Sequence, residues 1–117
     1  MAATAIRLDP EYDELLRLFA AECDEGLGAM EQSLLSLESG KGGSEPLNLL
    51  FRMAHTLKGN ASSLGLSELV EFSHALEDVL ERLRARELEA GPEVIATLLA
   101  SVDALREMVP AAVEARR

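Results

Sequence analysis

An all-α fold, an antiparallel up-and-down bundle of four helices, is what this sequence predicts, and three observations predict it. Apolar residues recur at alternating steps of three and four in four separate stretches, the spacing that lines one side of an α-helix. Aromatic residues make up only 3% of the chain, tryptophan is absent, and no stretch alternates apolar and polar positions as a half-buried strand would. Proline or glycine stands at the borders of the stretches, at Pro10, Pro46, Gly65, Gly91 and Pro92. A single amphipathic helix cannot bury its own stripe, so the four must pack on one another, joined by mostly short connections. The 117 residues are one domain's worth, with flexible residues 1–8, a linker at 39–45, and residues 110–117 forming either a short fifth helix or the start of an interdomain linker.

The first helix opens at Asp9-Pro10, an N-cap followed by a proline whose missing N–H does no harm at the first helical position. Its stripe is Tyr12, Leu15, Leu16, Phe19, Cys23, Leu27, Met30, Leu34 and Leu37, ending near Glu38. Gly26 and Gly28 interrupt good helix formers and mark a bend or a close helix contact. Ser39-Gly40-Lys41-Gly42-Gly43-Ser44 is a flexible connection. Glu45-Pro46 starts the second helix, whose seam is Leu47, Leu50, Ala54, Leu57, Ala61 and Leu64, with Gly65 as the left-handed stop. Ser67 is the expected cap of the third helix, and Glu68 complements its dipole. The third stripe reads Leu69, Phe72, Leu76, Val79, Leu80 and Leu83, closing between Arg84 and Glu89. Pro92 begins the fourth helix, with Val94, Ile95, Leu98, Leu99, Val102, Leu105 and Val109 apolar, and Pro110 is expected to stop it. Met1 to Ala5 reads as an untied tail. Met30, Met53 and Met108 read as core filler.

Composition excludes several classes of function. Eleven Lys and Arg against 21 Asp and Glu give a formal net charge of −10, which would repel nucleic acid and anionic membranes. No apolar run approaches the roughly 18 residues needed to cross a bilayer, and no signal peptide opens the chain, so a cytoplasmic protein is expected. The single Cys23 cannot close an intramolecular disulfide and reads as a core residue in a reducing compartment.

One segment carries more than packing. At about 100° per residue, His55 points about 130° away from the centre of the second helix's seam, where solvent and partners reach it. Lys58 follows at i+3 on the same flank, close enough to meet an anion carried on the imidazole. Gly59 sits inside the helix, where glycine costs about 1 kcal/mol relative to alanine, a cost that points to bare backbone being wanted there. On the third helix Glu77 lies about 110° from the centre of its stripe, on a rim where two helices face each other. A carboxylate there could accept a hydrogen bond from His55 Nδ1–H and leave Nε2 as the nucleophile.

The string His55-Thr56-Leu57-Lys58-Gly59 resembles the H-x-x-K-G signature of histidine phosphotransfer domains. His74 and Glu77, in Phe72-Ser73-His74-Ala75-Leu76-Glu77, make the match similar to the N-terminal phosphoacceptor domain of the CheA family of chemotaxis histidine kinases. The resemblance spans nearly the whole chain, and Asn60 departs from it, since the family usually has a smaller residue there. It implies that His55 accepts a phosphoryl group from an ATP-bound histidine kinase catalytic domain and passes it to an aspartate of a response-regulator receiver domain. Glu77 then orients the imidazole, Lys58 compensates phosphoryl charge, and His74 adds a donor from behind. Gly59, Arg52 and Ser62 are assigned to partner docking. This domain binds no cofactor and no metal of its own: ATP and magnesium belong to the kinase domain, and magnesium to the receiver. The chain has no Gly-rich phosphate loop followed by Lys, so it is the phosphoacceptor part of a kinase and cannot phosphorylate itself. The isolated domain is expected to be monomeric.

Other readings compete. Within the same class stands a module relaying phosphoryl groups between two receivers. Gly59 could serve only close helix packing. Glu71 and His74 have the Glu-x-x-His spacing of di-iron bundles, but the matching position before His55 is Arg52, and Lys58 would repel zinc from His55, His74 and Glu77. A purely structural helical adaptor predicts that His55→Gln is silent.

Overall fold

A computed structural model describes residues 9–117. The tail at Met1 to Ala5, with the rest of residues 1–8, lies outside the described residues. Four helices follow one another, α1 (Pro10–Glu38), α2 (Glu45–Ser63), α3 (Ser67–Arg84) and α4 (Pro92–Arg116), with no strand among the described residues. Asp9 caps α1 as expected, its carboxylate accepting from the Glu11 and Tyr12 backbone N–H groups. Each helix lays its apolar side into one shared core, in which Leu16, Leu34, Ala61, Leu69, Leu80 and Leu105 are fully buried. Helix α1 runs unbroken through Gly26 and Gly28, and a Cβ built on Gly26 would lie 3.6 Å from Met53 Sδ, an ordinary packing contact. Cys23 is buried in this core, and burial, with Glu22 adding to it, pushes its thiol up to about 12, so it stays protonated and inert.

The turn between α2 and α3 is short because α2 ends in a Schellman stop. Leu66 N–H returns to Ala61 O and Gly65 N–H to Ser62 O, with Gly65 at φ 75°, a region open to glycine at little cost. Leu66 is pulled into the core by this stop, so the residue at the cap of α3 is Leu66 and Ser67 is already helical, with no side-chain cap bond. Tyr12 Oη donates to Leu64 O at 2.8 Å and the Arg116 guanidinium donates to Gly65 O, so α1 and α4 both hold this turn.

Two further expectations are corrected. Pro110 does not stop the last helix, nor does residue 110 open a linker or a fifth helix, since α4 continues to Arg116. A mid-helix proline costs about 3 kcal/mol, but Val109 and Val113 are buried on either side, and Arg117 Nε meets Asp13 Oδ1 at 2.8 Å. Burial and these cross-links outweigh the lost hydrogen bond. Leu15, placed in the α1 stripe by its spacing, is half exposed, as is Leu18. The stripe runs through Leu16 and Phe19, leaving Leu15 and Leu18 beside Asn60 and Ser63 of α2 and Leu64 just after it.

Candidate functional site

Helices α2 and α3 are antiparallel neighbours across the Gly65 turn, so residues about ten positions before the turn face residues about ten after it. His55 and Lys58 from α2 meet Glu77 from α3 in this way. The α2 seam buries Leu50, Ala54, Leu57 and Ala61, and His55 stands on the outer flank with its side chain 66% exposed. On α3 the buried residues are Leu69, Ser73, Leu76, Glu77, Leu80 and Leu83, while Phe72 and Val79 are only partly covered. The seam is thus turned toward Glu77 relative to the stripe read from apolar residues alone. Fully buried Ser73, whose hydroxyl has no hydrogen-bond partner, was the polar residue that hid this rotation. Glu77 therefore lies against the seam with its side chain only 11% exposed, deeper than a rim position.

The three side chains form one hydrogen-bonded group. His55 Nδ1 lies 2.5 Å from Glu77 Oε2, and Lys58 Nζ donates to Glu77 Oε1 at 2.6 Å. A carboxylate accepts only, so the proton on this contact resides on Nδ1, and in the neutral ring Nε2 carries the free lone pair. Burial alone would push the Glu77 carboxyl up. The hydrogen bonds from Lys58 and His55 and the positive charge of Lys58 more than offset it, holding the group below the usual carboxylate range. The result is a fixed anion beneath an exposed ring. Its free nitrogen is left to the solvent side.

The other residues singled out in the sequence fall in different places. His74 is exposed on α3, and its nearest charged neighbour is Asp78, with Nε2 3.8 Å from Oδ1. It makes no hydrogen bond to His55, Lys58 or Glu77 among the described residues, so the donor expected behind the ring is not in contact there. Arg52, Gly59 and Ser62 are all exposed on α2. A Cβ built on Gly59 would meet no heavy atom within 4 Å, so no neighbouring helix requires a glycine there and the helix-packing reading has no contact to rest on. The bare backbone faces open space one turn past His55. Among the described residues no three His, Cys, Asp or Glu side chains gather as a metal site would need.

Two contacts at the site escaped the sequence reading. The Phe51 ring lies nearly parallel to the His55 ring, at 11° and 6.4 Å between centroids, and the Arg84 guanidinium carbon sits 4.4 Å from the centre of the Phe51 ring. Phe51 was legible as the i−4 neighbour of His55. Arg84 was not, because its contact depends on the antiparallel register of α3.

The chain is similar to known proteins in both sequence and fold. The family model described as the Hpt domain matches residues 14–108. The chemotaxis protein CheA of Borreliella burgdorferi is 36% identical over 102 residues, which cover 87% of this chain and 12% of that protein. The chain thus spans only about an eighth of the length of such relatives. Among solved structures, the phosphorylated P1 domain of CheA3 in complex with CheY6 from R. sphaeroides superposes with a TM-score of 0.81 at 36% identity, covering 89% of this chain and 81% of that one. The CheA phosphotransferase domain from Thermotoga maritima gives a TM-score of 0.79 at 34% identity, covering 86% and 96%.

Proposed function

Since this chain belongs to the Hpt domain family, we propose that it is the phosphocarrier domain of a chemotaxis-type two-component system, and that His55 is its phosphoacceptor. The observation that carries the reading is the pairing of an imidazole 66% exposed with a carboxylate 11% exposed at 2.5 Å. Burial keeps Glu77 in place, and exposure leaves Nε2 free to attack.

In the proposed step the Nε2 lone pair forms an N–P bond to the γ-phosphorus of ATP held by a kinase domain. The P–O bond to the leaving group breaks, and its electron pair departs with ADP. The Nδ1 proton stays on the ring, so the positive charge that develops on the imidazole lies against the Glu77 carboxylate. Glu77 thereby selects the tautomer, anchors one edge of the nucleophilic ring and stabilises its charge. Lys58 keeps Glu77 ionised and oriented, and its ammonium is placed to balance phosphoryl charge in the product. Transfer onward reverses the sequence at an aspartate of a receiver domain, with magnesium supplied by that partner.

Phosphoryl transfer depends mainly on alignment and charge placement, so the surface round His55 must admit a partner's active site closely. Gly59 gives clearance, and the exposed Arg52 and Ser62 border it. Leu15 and Leu18, half exposed beside Asn60 and Ser63, form an apolar patch between α1 and α2. The P1 domain of CheA3, a structural neighbour, is seen in complex with CheY6, which supports a response-regulator receiver as the partner. No described helix is long and apolar enough to cross a membrane, and we assign the domain to the cytoplasm.

The test is labelling by a purified CheA-type catalytic domain with radiolabelled ATP, comparing wild type with His55→Gln. Acid-labile label present in the first and absent from the second is the expected result. Label obtained only from a phosphorylated receiver would shift the assignment to a relay between receivers. No label from either donor would leave the adaptor reading in its place.

A further inference from the structure

One hydrogen bond does not fix a ring. With Nδ1 held by Glu77, the His55 imidazole can still pivot about that contact and sweep Nε2 through an arc, and at 66% exposure little else restrains it. A flat neighbour against the ring would remove that freedom. Phe51 is such a neighbour, one turn before His55, parallel to within 11° and itself packed against the core. A partly exposed phenylalanine has rotamer freedom of its own, and Arg84 opposes it. Its guanidinium carbon lies 4.4 Å from the Phe51 ring centre, while Nη1 reaches Glu81 Oε2 at 3.3 Å.

Helices α2 and α3 therefore meet twice beside the nucleophile. Glu77 takes the edge of the imidazole, and two turns further along α3 Arg84 takes the ring that walls it. Phe51, His55, Glu77 and Glu81 line one shallow depression. We propose that Phe51, pinned by Arg84, is a positioning residue for phosphoryl transfer: it sets the plane of the His55 ring, so that Nδ1 stays on Glu77 and Nε2 stays on the approach line of the phosphorus. This rests on His55 being the phosphoacceptor. Neither residue touches the phosphoryl group, and both act through the imidazole.

The experiment uses the full 117-residue chain and potassium phosphoramidate, a donor that needs no protein partner. Its P–N bond breaks with the electron pair leaving on ammonia as Nε2 forms the new N–P bond. Phe51→Leu should slow this labelling about two- to tenfold, the scale of one lost aromatic contact, with a lower Nδ1–H tautomer fraction in long-range ¹H–¹⁵N spectra of the ring. Phe51→Tyr, which keeps the ring, should restore both readouts. Arg84→Gln should give about a twofold loss, the low end of an exposed cation–π contact, and Arg84→Lys a smaller one. With a CheA-type kinase domain as donor, the Phe51→Leu loss should fall on kcat and leave KM in place.

An unchanged tautomer fraction and phosphoramidate rate in Phe51→Leu would overturn the proposal. So would a loss confined to KM with the kinase, which would make Phe51 a docking residue. If Phe51→Leu fails to fold, Phe51→Met and the surface variant Arg84→Gln carry the same two readouts. Failure of His55 itself is separable: wild type would then take no label from any donor, while the ring spectra would still report whether Phe51 and Arg84 hold the imidazole.

Discussion

The chain has two histidines, and their surroundings form a natural comparison. His55 on α2 and His74 on α3 are almost equally exposed, at 66% and 62%. Each has a carboxylate nearby, but His55 meets Glu77 at 2.5 Å across two helices, while His74 lies 3.8 Å from Asp78 one turn along its own helix. The decisive difference is in the anions. Asp78 is 70% exposed and water screens it, whereas Glu77 is 11% exposed and shared with Lys58. Exposure alone therefore does not distinguish the two rings. A buried, oriented partner does.

Substitutions can break this contrast, and His55→Gln has the largest expected effect, complete loss of acid-labile phosphate measured by kinase labelling. Next is Glu77→Gln, which removes the fixed anion and should slow labelling by roughly 10–100-fold, the usual cost of losing a histidine's orienting partner. The same variant has a pH signature. Because the Glu77 carboxyl is held below its ordinary value of 4.5, its contribution to stability is fully present above that pH and is lost as pH falls through the folded value. Urea unfolding should accordingly show wild type more stable than Glu77→Gln at neutral pH, with the gap closing below about pH 4.5. A gap that widened in acid would contradict the assigned contacts.

Lys58→Gln is expected to reduce the labelling rate about three- to tenfold, since one charge-assisted bond to Glu77 and one nearby positive charge are lost together. The smallest effect belongs to the other histidine. His74→Gln should change the labelling rate by no more than about twofold, because the charged group it approaches, Asp78, is a solvated one. A tenfold loss there, measured in the same assay, would mean that His74 joins the Glu77 group when a partner binds.

The fold was largely legible because its signals are local. The Asp9-Pro10 start, the Pro46 and Pro92 starts and the Gly65 stop each act within one turn of helix, and the seam of α2 followed directly from the spacing of Leu50, Ala54, Leu57 and Ala61. The errors came where distant residues decide. Pro110 is a strong local stop, overridden by buried Val109 and Val113, by Arg116 reaching the Gly65 turn and by Arg117 reaching α1. The α3 seam was misplaced by about half a helical step because a buried serine carries no hydropathy signal. For the site, His55 and Lys58 were named from spacing and Glu77 from its rim position together with the resemblance, and the structure brings all three together. His74 was grouped with them by resemblance and stands apart from them. Arg84 was invisible, since nothing local ties it to a ring 33 positions earlier.

The contact between Arg117 and Asp13 has a topological consequence. It holds the residue that follows α4 within one helical turn of the first helix's start, at the same end of the bundle as the α2–α3 turn. The order in which the helices are threaded is then separable from their arrangement in space. A circular permutant that joins Arg117 to Asp9 through a short glycine linker and opens the chain among Ser39 to Ser44 would present every helix in its place, with His55 over Glu77 as before.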